Sequence, residues 1–267
     1  MKDQKLKHYF QTNQTLWDAK TKVHVESDFY DMETFLKGKS SLNKIELEFL
    51  KDIKGKSLLH LQCHFGQDTL SLARMGAKVT GVDLSTNSIE TARKLNDQLG
   101  LDAQFINCNI YDLPQHLDQT FDLVFLSYGA ICWLPDLEPW ANMIYSYLKP
   151  GGQLIMAELH PFFFVFDHEK KEISYDYFRK APYEEVMEGT YANTEASIAL
   201  KEYFWVHSLS STFSALMKAG MKIQSFKEYD YCPYDCFPNL EKRAEREYVF
   251  PLNGQSFPHV YSLVCQK

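Results

Sequence analysis

The chain has 267 residues, 45% of them hydrophobic and 24% charged, enough apolar mass for one large domain or a domain with an insertion. Its 28 Lys and Arg against 35 Asp and Glu give a formal net charge of -7, so the basic footprint that nucleic acid phosphates demand is missing. No apolar run reaches the length of a membrane span, and the opening MKDQKLKHYFQTNQ has no apolar stretch, so the sequence predicts a cytoplasmic protein without a membrane partner.

In chain order, residues 1–56 are read as an N-terminal helical cap. SLLHLQ from Ser57 then suits a short buried strand, GQDTLSLARMG a helix ending at Gly76, and AKVTGVD a strand. STNSIETARKLNDQLG reads as a helix with Ser85 or Asn87 as its N-cap and Gly100 past its end. AQFIN and FDLVFLS follow as strands, Asp136 to Leu148 as a helix, and GQLIMAEL as a strand. Strand and helix alternating at this spacing predict an α/β fold, a Rossmann-like, mostly parallel sheet with helices on both faces, over residues 57–159.

The alternation stops after Leu159. Residues 160–206, rich in Phe, Tyr, Glu and Lys, read as an inserted lid with no clear helical period. Residues 207–267 complete the core with the helix HSLSSTFSALMKAG and the strands MKIQSFKEY and HVYSLVCQ. The last two strands, joined by an irregular loop over 231–258 without a crossover helix, should be antiparallel. The six cysteines are scattered as reduced thiols are; only CPYDC (Cys232 and Cys236) looks paired, and without a second Cys/His pair at finger spacing the sequence predicts no metal.

Ligands of open parallel sheets bind beyond the carboxyl ends of the strands, where the strand order reverses. That edge holds Gln62 to Gly66, Asp83, Asn107 to Asp112 and Ser127 to Gly129. Asp83, at the end of a second strand, either accepts hydrogen bonds from the hydroxyls of an adenosine ribose or merely caps the next helix. In the first loop Gln62, His64 and Phe65 stand where a pyrophosphate needs glycines, and no Gly-Lys-Ser/Thr follows for a triphosphate. A cofactor with a ribose but no phosphates remains.

On these residues the chain resembles the class I S-adenosylmethionine-dependent methyltransferases. The family's first motif, D/E-x-G-x-G-x-G, lies over His60 to Gly66, its ribose acid over Asp83, and its G-D-A-x-D-L-P over CNIYDLP. FDLVFLSYGAICWLPD and LKPGGQLIMAE resemble its fourth strand and the run into its fifth, within a sheet of seven strands. The resemblance implies S-adenosylmethionine as cofactor, held by His60, Gln62, Cys63, His64, Gly66, Asp83, Leu84, Asn109, Ile110, Tyr111 and Ser127, with Trp17 and Tyr30 closing over it. The first motif departs from the family: its acid is His60 and two of its glycines are Gln62 and His64. If the loop stays extended, these three alternate onto one face and replace the acid at the methionine end, although His60 also fits a hydrogen-bonded core histidine. Asn109 keeps a side-chain oxygen for the adenine amino group, with Ile110 or Tyr111 offering an amide beside it.

For the acceptor side, His160 lies just past the fifth strand and is the candidate base, Tyr128 shapes the acceptor, and His207 is a weaker candidate because it opens a helix. Glu158 serves either catalysis or structure. Trp17, His24 and Tyr30, with the 160–206 insertion, are candidates for the lid. The sequence thus predicts methyl transfer to a small-molecule acceptor by a monomer or homodimer. The alternatives are a noncatalytic adenosyl-binding module and, disfavoured by the blocked loop, a nicotinamide oxidoreductase.

Overall fold

The computed structural model describes residues 2–267, with side chains from Gln4 onward. Helices α1 (Lys2–Glu26), α2 (Met32–Leu36) and α3 (Lys44–Leu47) precede the sheet. The expected alternation then follows as β1 (Ser57–Leu61), α4 (Gln67–Arg74), β2 (Lys78–Asp83), α5 (Thr86–Leu99), β3 (Gln104–Asn107), β4 (Phe121–Ser127), α6 (Leu137–Tyr147) and β5 (Leu148–Leu159). Ser85 caps α5, its side chain accepting the Ser88 amide, and left-handed Gly100 ends that helix.

The insertion is more regular than its sequence predicts, with β6 (Phe166–Asp167) paired to β7 (Glu172–Ile173) and β8 (Tyr183–Glu188) to β9 (Ala199–Phe204), both antiparallel. After α7 (Leu209–Lys218) and β10 (Lys222–Tyr229), the segment read as irregular contains a hairpin of β11 (Glu241–Ala244) and β12 (Glu247–Val249), turned with Arg246 at φ 55°. Strand β13 (Val260–Gln266) ends the chain's regular structure.

The main sheet has seven strands in the order β10-β13-β5-β4-β1-β2-β3. Pairings among β1 to β5 are parallel, while β13 runs antiparallel to both β5 and β10. Strand β4 shows why: Leu123 to Leu126 are all buried, and successive residues point to opposite faces. Val124 and Leu126 join Trp140 and Ile144 of α6 on one face; Leu123 and Phe125 join Leu58, Leu72 and Val79 on the other. Each such side chain contributes about 1.5–3 kcal/mol, which fixes the sheet between two helical layers. The strand order reverses at β1, flanked by β2 and β4, so their carboxyl ends open a crevice there.

Helix α1 roofs that crevice by packing on α5 and β9. Its buried stripe, Tyr9, Asn13, Leu16, Lys20, Thr21 and His24, keeps helical spacing but is largely polar.

Candidate active site

The loop after β1 is not extended. Gln62, His64 and Gly66 all adopt left-handed backbone, at φ 53°, 51° and 82°, and a side chain there costs roughly 1–2 kcal/mol. The backbone therefore keeps the glycine conformation while two positions carry large side chains. At Gly66 a Cβ would come 2.9 Å from Cε1 of Phe105, so this glycine is required by contact as well as by φ.

The three polar side chains consequently do not share one face. His60 is a core histidine: its Nδ1 lies 2.8 Å from Thr69 Oγ1, its ring packs on Phe125, and burial lowers its pKa to about 4. Gln62 donates through Nε2 to the Ala130 carbonyl at 2.7 Å, which leaves its buried Oε1 without a partner among the described residues. Cys63 packs beneath, its Sγ occupying the space that a Cβ on Gly81 would enter.

His64 turns toward α1 and α5. Thr21 Oγ1 donates to the Trp17 carbonyl, so Ser88 Oγ must donate to Thr21 and accept from His64 Nδ1. His64 Nε2 then accepts from His24 Nδ1 at 2.9 Å, and both rings are neutral. Burial pushes His24 down to about 3 and His64 well below its ordinary value. His24 thus buttresses the loop from the lid.

Asp83 ends β2 with one oxygen accepting the His64 amide and the other the Ser85 amide, each at 2.8 Å, and burial raises its pKa to about 6. Leu84, Asn109 and Ile110 line the same wall. Asn109 Oδ1 accepts the Tyr111 amide at 3.1 Å and so caps the 3-10 turn. This corrects the expectation for Tyr111. Its amide is taken, and its hydroxyl donates to the Asp136 carbonyl, outside the cavity wall.

Beyond β4, Ser127 donates to Asp68 Oδ2 at 3.0 Å. Tyr128, at φ 35°, donates its hydroxyl to Glu46, whose carboxyl burial and then Asp68 raise to about 7. Glu158 is structural, accepting the amides of Gly129, Ala130, Ile131 and Leu159.

His160 is not on the cavity wall. Its Nδ1 accepts the Phe162 amide at 3.1 Å, Nε2 faces Glu228 Oε1 at 3.1 Å, and burial lowers its pKa to about 4. The turn after β5 carries it over β10 and β13, against Tyr261. His207 is likewise occupied, Nε2 donating to the Leu134 carbonyl at 2.7 Å.

One continuous cavity of about 1370 Å³ joins these groups. Its wall includes the 62–66 loop, Asp83 and Asn109, together with Trp17, Tyr30, Tyr128, Tyr175, Tyr191, Tyr234 and Phe164. Tyr30 and Tyr191 meet hydroxyl to hydroxyl at 2.6 Å, closing the N-terminal segment on the insertion. Sequence reasoning missed Lys20, Trp133, Tyr191, Glu202 and Tyr234 on this wall. Of these, only Lys20 had a local signal, since Trp17, Lys20 and His24 recur at one face of a helix.

Residues 58–152 match a family model described as a methyltransferase domain. The ubiquinone biosynthesis O-methyltransferase of Proteus mirabilis (strain HI4320) is 26% identical over 151 residues, 55% of this chain and 58% of that protein. The tRNA 5-carboxymethoxyuridine methyltransferase of Escherichia coli (strain K12) is 32% identical over 91 residues, 33% of this chain and 34% of that protein. The chain thus spans 58% or less of the length of these curated relatives. Among solved structures, a putative S-adenosylmethionine-dependent methyltransferase from Listeria monocytogenes superposes with TM-score 0.59 at 20% identity, covering 83% of this chain and 96% of that one. The DhpI-SAM-HEP complex gives 0.59 at 15% identity, covering 97% and 98%, and shares the fold. Residues 58–152 thus match a methyltransferase domain, carried on a fold that S-adenosylmethionine-dependent methyltransferases share.

Proposed function

We propose that the protein transfers a methyl group from S-adenosylmethionine to a small, partly aromatic acceptor. What carries this reading is the single cavity that runs from Asp83 and the 62–66 loop into a chamber of tyrosines beneath α1 and the insertion. The residues present fit the cofactor. Asp83 retains lone pairs for ribose hydroxyls, Asn109 and Ile110 flank the place for an adenine, and Gln62 Oε1 is a buried acceptor without a partner. When bound, the cofactor supplies a methyl group on a sulfonium, open to direct displacement.

The chain's own part is alignment and exclusion of water. Trp17 and Tyr30 of the N-terminal segment and Tyr191 of the insertion meet over the cavity. His60 and His168, both on the wall, are held neutral near pKa 4 and take up protons poorly at neutral pH. Tyr128 is better placed: its oxygen accepts the proton of the acceptor while its hydroxyl proton passes to Glu46. The acidic net charge and the tyrosine-rich cavity favour a small molecule over a polyanion. On the same reading the core is 57–159 with a cap, a lid insertion and a C-terminal completion, and the protein works in the cytoplasm as a monomer or homodimer.

Labelled methyl-S-adenosylmethionine incubated with a metabolite extract, tRNA and total protein tests this. Label is expected in the small-molecule fraction and falls at least 100-fold with Tyr128→Phe. Label in tRNA or protein overturns the acceptor class, and binding of S-adenosylhomocysteine with no transfer to any fraction overturns catalysis.

A further inference from the structure

Lys20 of α1 is 1% exposed, although it carries an ammonium group. Its Nζ lies 4.6 Å from the Trp17 ring centroid, 5.3 Å from that of Trp133 and 6.0 Å from that of Tyr191. Glu202 of β9 sits across from it, buried, with Oε2 at 3.6 Å from Nζ. That separation is too long for a hydrogen bond, and Oε2 has no other partner among the described residues. Both residues line the cavity beside the 62–66 loop, where Trp17 stands 5.2 Å from the His64 ring. A buried pair so poorly joined is costly, because neither charge recovers its hydration. A third partner that satisfies both removes the cost.

We propose that Lys20 and Glu202 form a clamp for the amino-acid head group of S-adenosylmethionine, Lys20 taking the α-carboxylate and Glu202, with Gln62 Oε1, the α-ammonium. The inference rests on the cofactor reading above and deepens it. An anion alone would leave Glu202 opposed to a like charge, and a cation alone would do the same to Lys20; a zwitterion matches both. Gln62 is oriented for its share, since its Nε2 is held by the Ala130 carbonyl and Oε1 is the atom left over. The clamp explains how the loop does without the acid that His60 replaces. The head group is held from the lid side, by α1 and the insertion, instead of from β1.

Calorimetry on the full chain tests the clamp with three probes. S-adenosylhomocysteine carries the whole head group, decarboxylated S-adenosylmethionine lacks the carboxylate, and 5′-methylthioadenosine lacks both charges. The wild type should bind S-adenosylhomocysteine about 10- to 100-fold more tightly than 5′-methylthioadenosine. Lys20→Met should lose most of that preference while 5′-methylthioadenosine binds as before, which also reports that the variant is folded. Glu202→Gln should weaken both ligands that retain the ammonium. If Lys20→Met does not fold, the double variant Lys20→Met/Glu202→Leu replaces the pair with apolar side chains and takes its place. An unchanged preference in the variants overturns the clamp and leaves the adenosyl site standing, as does a wild type that binds both probes equally. A wild type that binds neither S-adenosylhomocysteine nor 5′-methylthioadenosine overturns the clamp together with the cofactor reading.

Discussion

The His64 backbone amide donates to Oδ2 of Asp83 at 2.8 Å. The acid that ends β2 therefore does two things: it faces the cavity, and it holds the loop after β1 in a conformation that its side chains alone oppose. Strain at Gln62, His64 and Tyr128 gathers around one cavity, as it does where a site must be held in place.

Asp83→Ala removes both functions. Loss of charge-assisted hydrogen bonds to a ribose costs about 1.5–3 kcal/mol, so S-adenosylhomocysteine should bind about 10- to 100-fold more weakly in calorimetry. The amides of His64 and Ser85 lose their acceptor, so the melting temperature should fall as well. Unchanged affinity would remove Asp83 from the cofactor site.

Gln62 separates strain from contact. Gln62→Gly relieves about 1–2 kcal/mol of left-handed strain and gives up one hydrogen bond of about 0.5–1.5 kcal/mol, so its melting temperature should stay near wild type. Gln62→Ala keeps the strain and loses the bond, and should melt lower. Neither change should tighten binding. A Gln62→Gly variant with higher affinity for S-adenosylhomocysteine would show the side chain to be an obstruction.

Glu46 makes the site sensitive to pH. Its carboxyl is raised to about 7 in the folded protein from an ordinary 4.5, so the native state holds the extra proton between those values and stability is lost as pH rises through that window. Glu46→Gln keeps a neutral group there at every pH, its amide donating to the Tyr128 oxygen. Relative to wild type it should gain stability from pH 4.5 to 8, approaching about 3 kcal/mol at about 1.4 kcal/mol per pH unit. Urea titrations of both proteins at several pH values measure this, and parallel profiles would contradict the raised carboxyl.

His160 marks the limit of reasoning from strand ends. His160→Ala should leave S-adenosylhomocysteine affinity and methyl transfer within a few-fold of wild type, because the imidazole faces Glu228 and the Phe162 amide. A loss of turnover with intact binding would return it to the site.

The sheet was legible because its signals are local: buried runs such as Leu123 to Leu126, a Ser85 cap, a Gly100 stop. Asp83 was legible for the same reason, standing at the end of one such run. The two hairpins of the insertion and the one before β13 were not, since their strands are short and largely exposed. Helix α1 hid its inward face because Asn13, Lys20, Thr21 and His24 fill it with polar groups. Lys20 meets Glu202 and Tyr30 meets Tyr191 only after the chain folds, and no local pattern announces either pair. The loop conformation was hidden too, because Gln62 and His64 occupy backbone that sequence reasoning assigns to glycine.

Asn13 is where the roof is fastened. Its Nδ2 donates to the Tyr203 carbonyl at 2.8 Å and its Oδ1 accepts the Tyr203 amide at 2.9 Å, so one α1 side chain pairs with β9 as a neighbouring strand would. Both backbone groups are buried. Asn13→Ala leaves them without partners, at about 1–3 kcal/mol each, and loosens α1 against β9 without touching β1 to β5. Hydrogen exchange should therefore quicken over residues 199–204 while the central strands keep their protection. Trp17 and Lys20 ride on the same helix, so S-adenosylhomocysteine affinity should fall in parallel. Asn13→Asp keeps an acceptor for the Tyr203 amide but loses the donor, and should lie between the two. If residues 199–204 stay as protected in Asn13→Ala as in wild type, the roof is held elsewhere, and Tyr30 with Tyr191 is the contact to remove next.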